Sequence, residues 1–453
     1  MIERYFPTCT VKLHDKDKPW MTPSIKSLIY QRQRAFAVEA KGDWRRLRNR
    51  IIRDIEHAKQ DYYKNRVAKL KNANPASWYK HIKTMTTGQT RSPLIRIEGT
   101  SPTDFDAAAN KINNFFVNIA NDIPRLDPSS LPSYLPADQP LPLVQPWEVY
   151  SELKAIKQRK APGPDGISAR LVKKFAYELC CPLTDILNAS FSQSIVPERW
   201  KRAHVVPIPK TSQASIDNLR PVSLTDHFAK IAEKFIAKWT FSDMENTIDP
   251  AQFGNMRAIS TSHYLIDLLQ MIHSNADKPK IITTMVTTDF SKAFDRIDHN
   301  IAVLKLLQMN VRPSAVAWIA NFLTKRQQSV KYRTTLSDWL EVSAGAPQGT
   351  RLGPIIFLAI INEACRRSPS SYWKYVDDLT MLECRKSPSP SNIQSSVSNL
   401  QEWTLDNNMK LNHKKCSEMT VTFMREPPPP PVIQIDGHDI SQVDCVKLLG
   451  VFI

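Results

Sequence analysis

Two adjacent carboxylates, Asp377 and Asp378, stand between two short apolar runs, and no other stretch constrains the fold of this chain as strongly. The runs cover residues 372–376 and 379–382, a pattern that predicts a tight β-hairpin with both acids at its tip. Such a pair also has a simpler interpretation, because turns in general favour polar residues. The hairpin alone therefore does not define a functional site.

A second acid occurs in a matching setting. The β-branched run at residues 281–288 predicts a strand that delivers Asp289 at its end. Two strand-borne carboxylate sites hold divalent cations between them when their strands are neighbours in a sheet. We infer that Asp289 and the Asp377–Asp378 pair are brought together in this way.

The composition is that of a globular protein. A length of 453 residues allows a substantial core and suggests two or three subdomains. Hydrophobic residues make up 42% of the chain and charged residues 23%. The longest apolar stretch, residues 354–361, is far shorter than the roughly 20 residues of a membrane span. No signal-peptide core follows Met1, so we expect an intracellular protein without a membrane partner.

Charge and cysteine content narrow the class of partner. The net charge is +17 and the pI is about 9.5, which points to a polyanion such as nucleic acid. Seven cysteines are scattered without a Cys-x-x-Cys pair, so the sequence predicts neither a disulfide framework nor a zinc knuckle. A reducing compartment suits this pattern.

The first third of the chain divides into two regions. Residues 1–90 are basic and helical, with an apolar stripe at steps of three and four from Trp44 to Tyr62. The arginines and lysines between these positions form either a solvated helix face or a surface that binds phosphates without reading sequence. Residues 91–146 are rich in proline and predict an extended, surface-bound linker with one helix at 104–121.

The remaining two thirds predict a mixed α/β (α+β) fold, because short strands and helices occur together without a regular βαβα series. Residues 204–209 form a strand whose two prolines predict an edge position. Residues 330–332 and 339–342 predict paired strands, and the apolar run at 354–364 predicts a helix. The chain stops in an apolar strand at 447–453, which we interpret as a truncation.

Nine motifs in a fixed order resemble those of reverse transcriptases of the non-LTR retrotransposon family, the LINE-like and jockey-like elements. They occupy residues 160–167, 200–210, 218–224, 251–254, 287–299, 346–357, 374–380, 409–416 and 447–453. The acidic hairpin reads Tyr-Val-Asp-Asp where this family more often has Phe-Ala-Asp-Asp, and both carboxylates are retained. Relative to whole elements, the sequence is expected to lack the endonuclease domain and to stop within the thumb.

The resemblance implies a right-hand polymerase fold with fingers, an incomplete thumb and a ferredoxin-like palm with helices on one face. Fingers and the start of the palm would occupy residues 147–280, and the palm 281–425. Residues 426–453 would be a proline spacer and primer-grip-like strands, with Leu448–Gly450 as the grip.

The implied activity is RNA-directed DNA polymerisation, in which a dNTP is joined to a primer 3′-OH. The partners would be an RNA template, a DNA primer and dNTPs, and the cofactor two Mg²⁺ ions, with Mn²⁺ as a substitute. The family's habit of priming on chromosomal DNA implies the nucleus, and otherwise the cytoplasm.

The positions that match the family's motifs imply that the metal ligands are residues at the ends or starts of strands. Asp289 and Asp377 are the principal ligands, and the carbonyl of Phe290 is the third. Asp378 lies on the opposite face of a strand-like segment from Asp377, so we expect a weaker or indirect ligand. Three nearby polar residues are expected to be structural, because acids at a helix start often cap it. They are Asp295, Asp298 and His299.

Family register also assigns a nucleotide pocket. Phe294 would lie beneath the incoming sugar and reject a 2′-hydroxyl by its bulk, although a buried aromatic after a strand is often core. Gln348 would contact the nucleotide, and Gly349 would let the backbone approach it closely, unless the pair is only a turn before a helix.

Basic residues are expected around the triphosphate. Lys210 and Arg220 match the fingers positions that meet it, although Lys210 has the simpler interpretation of a surface lysine. Lys415 falls where the family has a lysine able to protonate the leaving pyrophosphate.

Two other functions compete with DNA polymerisation. One is a catalytically inactive, basic nucleic-acid-binding relic of such an element, which the retained carboxylates argue against. The other is RNA-dependent RNA polymerisation, which Phe294 disfavours because ribonucleotides need room at that position.

Overall fold

A computed structural model describes residues 18, 20–67, 78–79, 94–97, 99–101, 104–127, 131, 141–211 and 213–453. The chain divides into two compact units, Met1–Leu94 and Ile95–Ile453. Among the described residues, no helix has both the length and the apolar character needed to cross a bilayer.

The helices and strands are numbered in chain order. The helices are α1 Pro23–Ala37, α2 Lys41–Asp61, α3 Phe105–Asn118, α4 Pro146–Ala155, α5 Ala169–Lys174, α6 Ala176–Gln193, α7 His227–Met244, α8 Thr261–Ala276, α9 His299–Gln308, α10 Pro313–Leu323, α11 Gly353–Ile361 and α12 Ile393–Asp406. The strands are β1 Leu94–Arg96, β2 Arg202–Pro209, β3 Gln213–Ser215, β4 Leu219–Leu224, β5 Ile281–Thr288, β6 Arg326–Tyr332, β7 Thr335–Leu336, β8 Leu340–Val342, β9 Ser371–Tyr375, β10 Asp378–Lys386, β11 Ser417–Thr422, β12 Gln434–Ile435, β13 His438–Asp439, β14 Ser441–Gln442, β15 Lys447–Leu448 and β16 Val451–Phe452.

The first unit contains the packed helices α1 and α2. The Thr22 hydroxyl accepts a hydrogen bond from the N–H of Ile25 and begins α1, where Pro23 occupies the first turn. Few side chains are buried between these helices, and α2 presents exposed arginines along its length. Residues 1–17, 19, 68–77 and 80–90 of the predicted basic helical region lie outside the described residues.

The sheet that we call the fingers sheet has the strand order β4-β2-β6-β7, with β8 paired to β6. It combines strands from two predicted ranges, because β2 and β4 lie within 147–280, expected to form the fingers, whereas β6, β7 and β8 lie within 281–425, expected to form the palm. Helix α3 packs on it, and its Ile112 and Phe116 share a buried cluster with Val205, Leu219 and Val330. This helix is therefore part of the fingers core, whereas the sequence predicted a surface-bound linker for this region. Much of the proline-rich stretch, including residues 132–140, lies outside the described residues.

The prediction that β2 is an edge strand is only half right. β2 lies between β4 and β6, but β6 pairs with it only from Arg202 to Val205. Beyond Val205, β2 has β4 as its single neighbour, and Pro207 lies opposite Pro221 there. The prolines are tolerated because this half of the strand has a free side, where a missing N–H breaks no ladder bond.

The palm sheet has the order β14-β11-β5-β10-β9 and confirms the predicted strand at 281–288 and the predicted hairpin. Alternate residues of its strands enter two separate clusters. Leu379 and Met381 pack in the main core with α12, whereas Met285 and Leu382 pack with α8. The expectation of helices on one face is therefore wrong, because α8 covers the second face.

Candidate active site

The acidic hairpin is a two-residue turn between β9 and β10. Asp378 pairs with Tyr375, so Val376 and Asp377 form the tip. Val376 has a φ of 60°, in the left-handed region that β-branched residues rarely adopt. Gly254 lies directly against this tip, since a Cβ there would come within 2.3 Å of the Val376 nitrogen. The missing side chain of Gly254 thus lets the backbone support a strained turn from close by.

Asp289 is brought to the same edge of the palm sheet. β5 and β10 are antiparallel neighbours with Thr288 opposite Leu379, so Asp289 follows β5 next to the hairpin tip. The backbone carbonyl of Asp289 accepts a hydrogen bond of 2.8 Å from the N–H of Asn412, which fixes the end of the strand. The strand neighbourhood inferred from the sequence is present.

Negative charge is concentrated at this edge. Burial is the main cause that raises the pKa of Asp377, and the charge of Asp289 raises it further. Burial, followed by the charges of Asp377 and Asp289, raises the pKa of Asp378 to about 6. Asp377 and Asp378 are thus harder to ionise because of burial and of the neighbouring negative charges, and a bound cation would oppose both effects.

The donor atoms suit a hard cation such as Mg²⁺ or Mn²⁺. Phe290 and Leu411 form the non-hydrogen-bonded pair of a β-bridge, which leaves the Phe290 carbonyl unused by that bridge. Across the described part of the chain, no three histidine, cysteine or carboxylate side chains converge as a metal site. A divalent cation at this edge would therefore be bound by two carboxylates and a backbone carbonyl rather than by three converging side chains. Asp378 begins β10 on the face of Thr380, whose hydroxyl bonds to Tyr264 of α8.

Lys415 contacts the first of these carboxylates. Its Nζ donates a hydrogen bond of 3.0 Å to Oδ2 of Asp289. Both side chains keep access to solvent, with 58% and 30% of their surfaces exposed. The lysine is thus near the acids, and its proton-donor role stays a prediction.

Phe294, which the resemblance assigns to a nucleotide pocket, is held by two contacts. Its ring stacks on Phe357 of α11, with centroids 4.7 Å apart and planes inclined by 21°. Its carbonyl accepts a hydrogen bond of 2.9 Å from the N–H of Ala346. The ring is half-buried, so one side packs against α11 while part of it stays accessible.

Gln348 is held from two sides. Its Nε2 donates to Oδ1 of Asp295 at 2.9 Å, and its carbonyl accepts from the N–H of Ser223 at 2.7 Å. Gly349 has a φ of 107°, and a Cβ there would lie 3.0 Å from the Ser223 carbonyl oxygen. The loop at 348–349 is therefore pressed against β4, as a close backbone approach requires.

Asp295 was expected to be structural, but it is not the cap of α9. The cap of α9 is Asp298 instead, whose carboxylate accepts hydrogen bonds from the N–H groups of Asn300 and Ile301. His299, also expected to be structural, is buried and bonds through Nε2 to the Gly345 carbonyl. Burial raises the pKa of Asp295, and the hydrogen bond from Gln348 opposes that rise. The sequence did hold a signal for this: two acids, Asp295 and Asp298, precede α9, but a helix needs only one of them as its cap.

Lys210 and Arg220 share one face of the β2–β4 hairpin. Ile208 pairs with Arg220, and Lys210 lies two residues beyond Ile208, so alternation puts both cations on one side. Both are exposed, and their charges lower the pKa of Asp377 against the larger effect of burial. The fingers cations therefore face the acidic edge of the palm.

Lys292 is a half-buried lysine close to Asp289 in the chain that sequence reasoning did not consider. It lies three residues after Asp289, and its Nζ donates to the Asp217 carbonyl at 2.7 Å. The ammonium also lies 5.4 Å from the centroid of the Phe115 ring. Burial is the main cause that lowers the pKa of Lys292. This lysine ties the palm to the connection between β3 and β4.

Comparison with known proteins agrees with this geometry. Residues 208–453 match the model of the family described as reverse transcriptase (RNA-dependent DNA polymerase). The chain belongs to this family, whose right-hand fold includes the palm.

Curated relatives of the chain come from mobile elements. The chain is 27% identical over 330 residues to a probable RNA-directed DNA polymerase from transposon X-element of Drosophila melanogaster, which covers 70% of this chain and 36% of the relative. It is 26% identical over 326 residues to the RNA-directed DNA polymerase from mobile element jockey of the same species, covering 69% of this chain and 35% of the relative. A Pol polyprotein from the type-1 retrotransposable element R1 of Bradysia coprophila is 24% identical over 412 residues, covering 85% of this chain and 38% of the relative.

These comparisons confirm the resemblance to non-LTR, jockey-like reverse transcriptases. The chain spans a little over a third of the length of these relatives.

Proposed function

We propose that this chain is an RNA-directed DNA polymerase, which joins a dNTP to the 3′-OH of a DNA primer on an RNA template. The observation that carries the proposal is the pairing of β5 with β10, which brings Asp289 beside the Asp377–Asp378 tip. Family membership supports the same chemistry.

Two Mg²⁺ ions, or Mn²⁺ in their place, would be held by Asp289, Asp377 and the carbonyl of Phe290, with Asp378 as a weaker or indirect ligand. When bound, such ions activate the primer 3′-oxygen and neutralise charge on the departing pyrophosphate. The raised pKa values of Asp377 and Asp378 support this assignment, because a cation would relieve the mutual repulsion of these groups.

The other residues act on the nucleotide. Phe294, fixed by its stack on Phe357, would exclude a 2′-hydroxyl by its bulk. Gln348, oriented by Asp295, would contact the nucleotide, and the close approach at Gly349 would shape the backbone beside it.

Three cations would serve the phosphates. Lys210 and Arg220 would bind the triphosphate from the fingers side, where Arg220 offers a bidentate fork. Lys415, at 3.0 Å from Asp289, would give a proton to the leaving pyrophosphate.

The charge of the chain suits the proposed template and primer. A net charge of +17 favours binding to nucleic-acid phosphates, and the exposed arginines of α2 would bind backbone without reading sequence. If chromosomal DNA supplies the primer, the protein works in the nucleus, and otherwise in the cytoplasm.

Primer extension on poly(rA)/oligo(dT) with Mg²⁺ and dTTP tests the proposal. We expect incorporation of dTTP, little incorporation of UTP, and loss of synthesis in Asp377→Asn. Asp185→Asn makes the same charge change on an exposed site of α6 and should retain synthesis. If the unaltered protein binds the primer–template but incorporates nothing, the alternative of a catalytically inactive relic is correct.

A further inference from the structure

A buried lysine lies just before the acidic hairpin tip. Lys374 of β9 is 0% exposed, and its Nζ donates to Oδ2 of Asp249 at 2.6 Å. The same ammonium lies within hydrogen-bond distance of three carbonyl oxygens at the C-terminal end of α11. They belong to Ile361 at 3.2 Å, Asn362 at 2.9 Å and Ala364 at 3.2 Å. One side chain thus joins the strand of the hairpin to the end of a helix that has unsatisfied carbonyls.

Asp249 completes this connection from a third segment. Its Oδ2 also accepts the hydroxyl of Tyr372, which lies on β9, at 3.0 Å. Its own N–H donates to Oδ1 of Asn362 at 2.8 Å, and its Oδ1 accepts from the N–H of Ala251. The hairpin strand, the end of α11 and the segment that starts at Asp249 are therefore fixed to one another.

The segment after Asp249 continues to the strained tip. The N–H of Lys374 donates to the Ala251 carbonyl at 2.9 Å, and the Lys374 carbonyl accepts from Phe253 at 2.8 Å. Gly254 then lies against Val376, the residue with a positive φ. The partners of Lys374 thus lead directly to the backbone that supports the turn before Asp377.

Stability alone is a weak reason for such a pair. Removing an ammonium and a carboxylate from water is costly, and apolar side chains of similar size often replace buried ion pairs without loss. The Lys374–Asp249 pair instead fixes the relative position of the three segments, because all of its hydrogen bonds can form in only one arrangement of them.

This arrangement matters because α11 serves the nucleotide pocket. The loop with Gln348 leads into its N-terminal end, and Phe357 within it carries the stack on Phe294. We propose that Lys374, through Asp249, is a positioning residue that sets the Asp377 hairpin relative to the nucleotide pocket. The inference depends on the proposed polymerase function for its effect on synthesis, but not for its effect on the hairpin.

The principal test is the double variant Lys374→Met/Asp249→Asn, which removes both charges and leaves no unpaired buried ion. We expect a modest loss of thermal stability, because methionine leaves the Asn362 and Ala364 carbonyls without this donor. The value of kcat for dTTP should fall about tenfold to a hundredfold and KM should change little, because a small displacement of reacting groups has effects of this size. Hydrogen exchange of the amides at 371–382 should become about tenfold faster, while exchange in the fingers sheet stays as it was.

A matched control makes the same chemical change elsewhere. Lys234 of α7 pairs with Glu152 of α4 at 2.5 Å, away from the hairpin. Lys234→Met/Glu152→Gln should leave both kcat and hairpin exchange unchanged. If it slows synthesis and loosens the hairpin as much as the principal variant does, the effect is a general one and the proposal is wrong.

A conservative variant covers the case in which the double variant does not fold. Tyr372→Phe removes only the hydroxyl that donates to Asp249, and should speed exchange at 371–382 by about threefold. Unchanged hairpin exchange in this variant overturns the inference, as does unchanged exchange with unchanged kcat in the double variant. Failure of the unaltered protein to incorporate dTTP contradicts the polymerase proposal instead, and the exchange comparison still decides the role of Lys374.

Discussion

Lys415 Nζ donates a hydrogen bond of 3.0 Å to Oδ2 of Asp289, so the proposed proton donor contacts a proposed metal ligand. This contact gives Lys415 two separable roles. As a counter-ion it balances the charge of Asp289, and as an acid it protonates pyrophosphate. The two roles differ in what an arginine at this position would restore, because arginine keeps the charge but is a much weaker acid.

Lys415→Met should lower kcat for dTTP by about a hundredfold, the usual size of a general-acid contribution. Lys415→Arg should stay nearly as slow, because arginine keeps the positive charge but does not release its proton, whereas a counter-ion role predicts recovery. Single-turnover extension measures kcat in both variants. Lys414→Met, at the adjacent exposed lysine, is the control. A Lys415→Met rate equal to that of Lys414→Met would contradict the acid role.

Phe294→Val should reduce the preference for dTTP over UTP. The ring stacks on Phe357 with centroids 4.7 Å apart, so in the proposed role it would fill the space beneath the sugar with a side chain that is packed on one side. We expect the ratio of kcat/KM values to fall by about tenfold to a hundredfold, the range for removing a steric contact. Phe228→Val, at a half-buried position of α7, should keep the preference. If Phe294→Val still prefers dTTP over UTP to the same extent, another residue excludes the 2′-hydroxyl.

Asp295 and Gln348 should act as one unit. Their hydrogen bond of 2.9 Å fixes the amide so that Oε1 is free for the nucleotide. Asp295→Ala and Gln348→Ala should each raise KM for dTTP, and the double variant should raise it no further. The coupling from this double-mutant cycle should be about 1–2 kcal/mol. Asp295→Asn keeps an acceptor and should lose less, whereas additive effects would mean that the contact has no role in binding.

The elements of the palm follow from local sequence because a strand buries alternate residues and a tight turn selects polar ones. This is why residues 281–288 and the hairpin at 372–382 were predicted correctly. The Asp377 tip and Asp289 then follow, because both positions end strands. Nothing in the local pattern could show that α8 would cover the second face of the sheet, since the partners of its apolar residues lie far away in the chain.

The residues that sequence reasoning missed depend on distant partners. Lys374 lies inside the run 372–376, which was interpreted only as an apolar strand of the hairpin, and its partner Asp249 lies 125 residues away. Asp295 looked like a helix cap, and Gln348 lies 53 residues away. Such roles come from tertiary packing, which propensity and periodicity do not encode.

Gly254→Ala should loosen the hairpin. The new Cβ would lie 2.3 Å from the Val376 nitrogen, which is backbone and cannot yield as a flexible side chain would. We expect a stability loss of about 1–3 kcal/mol, as for overpacking, together with a lower kcat. Thermal unfolding and primer extension measure the two effects. Gly42→Ala, in open space on α2, should slightly raise stability, and a similar loss there would rule out a specific contact.

His299 should make the protein sensitive to mild acid. Burial lowers its pKa from 6.5 to about 4, and its Nε2 donates to the Gly345 carbonyl at 2.8 Å. The folded state therefore keeps the ring neutral while the unfolded chain takes up a proton, so the contribution is complete above about pH 6.5 and is lost as pH falls toward 4. Between about pH 7.5 and pH 5 the loss should be about 2 kcal/mol. His299→Gln keeps an Nε2 donor but does not titrate. Between pH 7.5 and pH 5, the unfolding free energy of this variant should therefore fall by about 2 kcal/mol less than that of the unaltered protein. Urea unfolding of both proteins at the two pH values measures the difference, in which the other titrating groups cancel. Equal losses in the two proteins would mean that His299 is not held neutral by the fold.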